Sequence, residues 1–444
     1  MSMSIILTIV VFYFLCLFMI RQKVKDRISK YLILIYVSYW HISLLLCSIN
    51  PFGYFHVKDS TYLLLLGHVV TFLIGFIIVK IPDISYSPPI DIDVLKLIKK
   101  KLFLFLFTVS FIFVTVMLFR VRDLLLVYAI SDVRGDFGEL VLEGSGVASL
   151  FYNVVARCVF HFSLCLVSFM LFFQSSWRYI SLLFTYILLF AIIQGGRNQF
   201  LTIGFYILSL LILSSYIQSR KKGLREIYDI SRSLKVILII VGVGIFFIMS
   251  YLTAARKGYN TIDNDALVQS SISLSEKFGT YSAGPIVAFD QGINGSVIKK
   301  KKQYYGAATF GGVDKHISIL FNQFGIKIPK ASNEVTYILQ ENRILIGPDL
   351  SWNYAYTSCF NYYMDFGLLG ILVFPFIFGI FVRNYIALLY RQLSIYTIAL
   401  FSFICFCMYM SVFSGYLHKD MTILYIIMLL YLSHKNNKVC LNLS

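Results

Sequence analysis

The chain predicts an all-α, polytopic membrane protein: a bundle of about eleven transmembrane helices with one large, mostly helical outer loop between spans eight and nine. Three observations predict it. Apolar residues make up 58% of the 444, charged residues only 14%, and the mean hydropathy is +0.77, well outside the balance of soluble domains. Long apolar runs recur along the whole chain, and about 20 such residues cross the hydrocarbon layer. The one long stretch outside an apolar run is Arg256 to Phe366, which is largely polar.

Taken in order, the spans are expected at residues 4–20, 30–49, 61–79, 102–119, 148–173, 178–194, 200–217, 236–254, 367–388, 396–414 and 421–434. Three regions follow: residues 1–255 with spans one to eight and short loops, 256–366 as the large loop, and 367–444 with spans nine to eleven and a tail. The N-terminus lacks a basic segment ahead of its first apolar run, so that run reads as a retained membrane helix. The eight cysteines are scattered, with neither a disulfide framework nor zinc spacing.

Orientation follows from basic residues. One set of alternate connections carries twenty-one lysines and arginines, among them Arg21, Lys23, Lys25, Lys99, Lys100, Lys221, Arg383 and Arg391. The opposite short connections carry six: Lys58, Arg120, Arg122, Arg134, Arg197 and Lys419. Cytoplasmic loops hold the surplus, so the N-terminus and the large loop are expected outside and the C-terminus in the cytoplasm. The same bias accounts for most of the net charge of +17, which therefore does not indicate nucleic acid.

That orientation places three polar features on one outer face. The first is the tight turn Gly195-Gly196-Arg197-Asn198, where paired glycines let the chain reverse and present a guanidinium suited to bidentate phosphate binding. The second is Arg256-Lys257, just past span eight. Each arginine reads either as a phosphate ligand or as a snorkelling helix anchor. The third is the stretch Asn353 to Asp365. As one helix, it sets Asn353, Thr357, Asn361 and Asp365 on one face at i, i+4 steps, with Tyr356 and other aromatics on its flanks. It reads as a sugar-binding wall or as a water-facing helix end.

Arg157 and His161 lie one turn apart inside span five. Ionisable groups at that depth line a site or make an interhelical contact. His316, Asp290 and Asp365 are candidate general bases by residue type, and spacing does not choose among them. No nucleotide-binding glycine motif occurs.

The residues 195–198, 255–257 and the pattern Asn353, Tyr356-Thr357, Tyr362-Tyr363, Asp365-Phe366-Gly367, Gly370 resemble the Wzy-type O-antigen polymerases, the oligosaccharide repeat-unit polymerases of bacteria. The likeness covers residues from about 190 to 385, and the first half matches in hydropathy alone. It implies a GT-C-like fold in the bacterial inner membrane. It also implies transfer of a growing glycan from undecaprenyl pyrophosphate to the non-reducing end of a new lipid-linked repeat, as in lipopolysaccharide biosynthesis. Arg197 and Arg256 would be the catalytic cations, with His316, Asp290 or Asp365 as base. Gly196, Asn198, Lys257, Asn353, Tyr356, Thr357, Asn361, Arg157 and His161 would bind substrate. No cofactor or metal is expected. The expected partners are lipid-linked oligosaccharides, membrane lipids, and a chain-length regulator and flippase of the same pathway. An O-antigen ligase and a non-enzymatic saccharide transporter are the rival readings.

Overall fold

The computed structural model describes residues 3–81, 94–128, 133, 137–142, 146–173, 176–194, 198–221, 264–295, 303–328, 334–335, 344–348, 350–352 and 356–441. In chain order the principal elements are α1 (Met3–Lys23), α2 (Arg27–Ile49), α3 (Asp59–Ile78), α4 (Lys101–Leu125), α5 (Gly146–Phe173), α6 (Trp177–Gln194), α7 (Asn198–Lys221), α8 (Asn264–Asn294), α9 (Gly311–Gln323), β1 (Ile344–Gly347), β2 (Leu350–Trp352), α10 (Ser358–Arg391), α11 (Ile395–Met410) and α12 (Thr422–Leu441). Among the described residues seven helices, α1 to α6 and α10, are long and apolar enough to cross a membrane. Shorter apolar helices occupy Leu201–Ser214, Ile395–Met410 and Thr422–Lys435. The eighth expected span, 236–254, lies outside the described residues.

Several of these helices turn large apolar side chains outward: Leu7, Phe14 and Phe18 on α1, Leu102, Phe105 and Phe119 on α4, and Leu368, Leu369 and Ile377 on α10. Water does not tolerate apolar faces of that extent, and lipid tails cover them without cost. The protein is a helical, membrane-embedded one.

The chain divides into two compact units. The first comprises Met1–Ile84, Glu276–Arg391 and Ile404–Ile426. Its centre is the crossing of α3 and α10, where glycines let two backbones approach. A Cβ on Gly75 would fall 2.1 Å from the Phe376 carbonyl oxygen, and one on Gly379 would fall 2.3 Å from that of Phe72. Close backbone packing of this kind replaces the hydrophobic driving force that lipid removes.

Helix α2 starts where the Asp26 side chain accepts the Ser29 amide and ends at Asn50, which adopts the left-handed conformation. The Asn50 side chain then bonds both the amide and the carbonyl of Tyr54, fixing the turn into α3. At the opposite end of this unit Asp26 also takes the Arg383 guanidinium at 2.7 Å and the Tyr390 hydroxyl at 3.0 Å. That end carries Lys23, Lys25, Arg27 and Arg391 as well.

The expected loop is helical in α8 and α9, but it also holds an antiparallel hairpin, pairing Ile344 with Trp352 and Leu345 with Ser351. An apolar β-branched run followed by Gly347-Pro348 favours a strand and turn over a helix. Small residues of α8 accept this hairpin: Gly284 lies so close to the Trp352 ring that a Cβ would sit 2.9 Å from it. The helix that holds the ninth span is continuous with a segment before it, broken at the position where the span was expected to begin. Helix α10 starts at Ser358 and bends at Phe366–Gly367, where Gly367 has φ +62°, a conformation glycine adopts freely.

The second unit comprises Ser85–Ser275, Gln392–Phe403 and Ile427–Ser444. Aromatic contacts bind α4, α5 and α6: Phe107 meets Tyr186 at 5.3 Å between ring centroids, and Phe160 meets Phe190 at 4.5 Å. Helix α5 carries a π-helical turn over Phe151–Ala156. The Tyr186 hydroxyl donates to the Ala156 carbonyl at 2.9 Å, satisfying an oxygen at the end of that widened turn.

Candidate functional site

In the first unit, polar side chains gather at the end formed by residues 50–61, 290–294, 304–316, 356–365 and 411–420. In the stretch read as a polar helical stripe, α10 begins at Ser358 and Tyr356 and Thr357 precede it. Asn361 and Asp365 do share a face. That face is turned against the 304–309 turn and is closed to solvent: Asn361 is 6% exposed and Asp365 0%. Asp365 accepts the amides of Ala308 at 2.9 Å and Thr309 at 2.7 Å, one on each oxygen. Asn361 donates to the Ala308 carbonyl at 2.8 Å. Two side chains one helical turn apart thus strap a loop onto the start of α10. With both oxygens occupied by backbone donors, Asp365 is better built to hold that loop than to take a proton from a substrate.

Tyr356 and Thr357 are buried beside this strap. The Tyr356 ring lies 4.7 Å from that of Phe360, and burial lifts its hydroxyl above the usual tyrosine range. Burial, with Glu334 adding to it, pushes Tyr304 up to about 12. Both phenols are therefore neutral at physiological pH and able to donate.

Asp290, near the end of α8, is 2% exposed. Its Oδ1 accepts from the Thr61 hydroxyl at 2.5 Å, the Asn294 amide at 2.8 Å and the Lys58 backbone at 3.3 Å. This carboxylate ties α8 to the start of α3. Helix α9 is held over residues 419–420: Lys315 pairs with Asp420 at 2.6 Å, and His316 Nε2 lies 3.0 Å from the Asp420 carbonyl oxygen. A carbonyl only accepts, so Nε2 carries the proton and Nδ1 keeps its lone pair. His316 is half-buried. Of the three candidate bases Asp365 has both oxygens taken by backbone amides, the bonds to Asp290 all fall on Oδ1, and His316 is the least buried.

A cavity of about 10 Å³ lies inside this unit between Tyr36, His68, Ser358, Tyr362, Ser411 and Tyr416. That is room for a single water molecule and far too little for a sugar ring.

In the second unit, Arg157 and His161 diverge although they are one turn apart. His161 is 3% exposed and bonds the Tyr206 hydroxyl on α7 at 2.9 Å. Arg157 lies over the Tyr152 ring, its Cζ 5.6 Å from the centroid. The Tyr152 hydroxyl receives the Gln194 side-chain amide at 2.6 Å. Gln199 in turn bonds Gln194.

Gly196, Arg197, Arg256, Lys257 and Asn353 lie outside the described residues, and Asn198 is the first residue of α7. Sequence reasoning missed Thr61, Asn294, Tyr152, Gln194 and Gln199. Asn294 was visible at i+4 from Asp290, and Gln194 as a polar residue closing an apolar run. Thr61 and Tyr152 had no such signal. Among the described residues no three His, Cys, Asp or Glu side chains gather as metal ligands would. Compared with protein-family models, characterised proteins and solved structures, the chain matches none.

Proposed function

We propose that this protein is a membrane glycosyltransferase that polymerises lipid-linked oligosaccharide repeat units, moving a glycan from a polyprenyl diphosphate onto a hydroxyl of a second lipid-linked unit. The observation that supports the reading best is the Asn361–Asp365 strap. Asp365, one of the residues that carry the family resemblance, binds a polar loop to the start of a membrane helix together with Asn361. The basic residues Lys23, Lys25, Arg27, Arg383 and Arg391 crowd the opposite end of that unit. Under the positive-inside rule this charge supports a reading with the strapped loop on the outer face, where lipid-linked glycans are met and nucleotide sugars are absent.

In this reading His316 Nδ1 takes the proton of the acceptor hydroxyl while its oxygen bonds to the anomeric carbon. The bond from that carbon to the diphosphate oxygen breaks, and the electron pair leaves with the diphosphate. The family resemblance assigns the stabilising of that charge to Arg197 and Arg256, a role worth about 3–4 kcal/mol per donor. A positioned base adds roughly 100- to 10,000-fold.

The test is purified protein given two lipid-linked repeats and nothing else. A longer glycan on one lipid supports the reading. Unchanged repeats that merely cross a bilayer would favour a transporter. Transfer to a lipid A core without repeat joining would favour a ligase.

A further inference from the structure

Arg157 is a charged side chain within a membrane-crossing helix, and among the described residues no carboxylate pairs with it. It lies over the Tyr152 ring, its Cζ 5.6 Å from the centroid. This contrasts with Arg383, whose charge is met by Asp26 at 2.7 Å. An ionisable side chain within a membrane-crossing helix is a functional-site candidate.

The surroundings are built rather than incidental. The π-helical turn Phe151–Ala156 sits immediately before Arg157, and π-turns interrupt helices mostly at functional positions. Helical side chains lean toward the N-terminus, which carries the guanidinium back over Tyr152. Tyr152 itself is 2% exposed and is bonded to Gln194, the last residue of α6. The cation therefore lies near the end of α6. Beside it runs an amide chain, Gln199 to Gln194 to Tyr152, and the buried Gln199 Oε1 at its start has no hydrogen-bond partner. Reversing both amides would move the vacancy to the Gln199 nitrogen and would not fill it.

We propose that Arg157, Tyr152, Gln194 and Gln199 form a binding site for the phosphate headgroup of an amphiphile, reached from the lipid layer. Arg157 meets the phosphate as a bidentate donor, and Gln199 meets a neighbouring polar group of the same ligand. Two sources share this chemistry, a polyprenyl diphosphate and a glycerophospholipid. The site rests on the polymerase reading only for the first of these.

The experiment measures binding to the purified full-length protein in detergent, with a polyprenyl diphosphate, the matching polyprenol and phosphatidylglycerol as probes. The diphosphate is expected to bind at least tenfold more tightly than the polyprenol, and Arg157→Gln to reduce that difference about threefold or more. Gln194→Glu places a carboxylate beside Tyr152, over whose ring Arg157 lies. It supplies an internal counter-ion and is expected to give the same loss in a well-folded protein, so it decides the matter should Arg157→Gln fail to fold. Phosphatidylglycerol binding as tightly as the diphosphate supports the site with bulk lipid as its source. Equal affinity for diphosphate and polyprenol, or undiminished phosphate preference in the variants, overturns it. Headgroup binding without chain growth would sink the polymerase and leave the site intact; chain growth with Arg157-independent binding would do the reverse.

Discussion

The Asp365 carboxylate holds the backbone amide of Thr309 at 2.7 Å while its second oxygen holds that of Ala308 at 2.9 Å. An asparagine there has one accepting oxygen, so one buried amide loses its partner. Asp365→Asn is expected to cost about 1–3 kcal/mol. Thermal unfolding in detergent checks this, together with limited proteolysis, which should open first at residues 304–310.

The α3–α10 crossing makes a sharper claim about size. Gly75→Ala or Gly379→Ala drives a methyl into the backbone of the facing helix, and overpacking of that kind costs about 1–3 kcal/mol. Gly53→Ala meets no neighbouring atom and has only its own positive φ to contend with, so it should cost less. Melting temperatures that fell equally at all three positions would refute the close-approach argument.

Asp26 and Arg383 form an ion pair with side chains 10% and 6% exposed. Removing either partner leaves a buried charge, and Asp26→Ala or Arg383→Ala is expected to cost about 3–5 kcal/mol. The double substitution Asp26→Leu with Arg383→Met should cost less than the two single losses together, because no unpaired charge remains. A double-mutant cycle by denaturation measures the difference.

The catalytic reading separates roles by substitution. His316→Ala should slow chain growth by roughly 100-fold or more without changing the melting temperature greatly, since the side chain is half-buried. Arg197→Ala and Arg256→Ala should abolish long chains at normal expression, and Arg197→Lys should also lose much activity because an ammonium lacks the planar fork. Glycan length on gels reads all four. Wild-type ladders from both alanine variants would remove the arginines from the mechanism.

The one-dimensional pattern determined that this is a membrane-embedded helical protein, because apolar runs long enough to span lipid are a property of local composition. It also put Asn361 with Asp365, and Arg157 with His161, on shared helix faces, since a 3.6-residue period is local too. What each face meets was a different matter. That Asp365 straps the 304–309 turn, that Asp290 reaches Thr61 some 229 residues away, and that Arg157 turns to Tyr152 while His161 turns to Tyr206 were decided by tertiary packing. Hydrogen-bond partners distant in sequence are chosen by which helix ends the bundle brings together, and a helix period does not encode that choice.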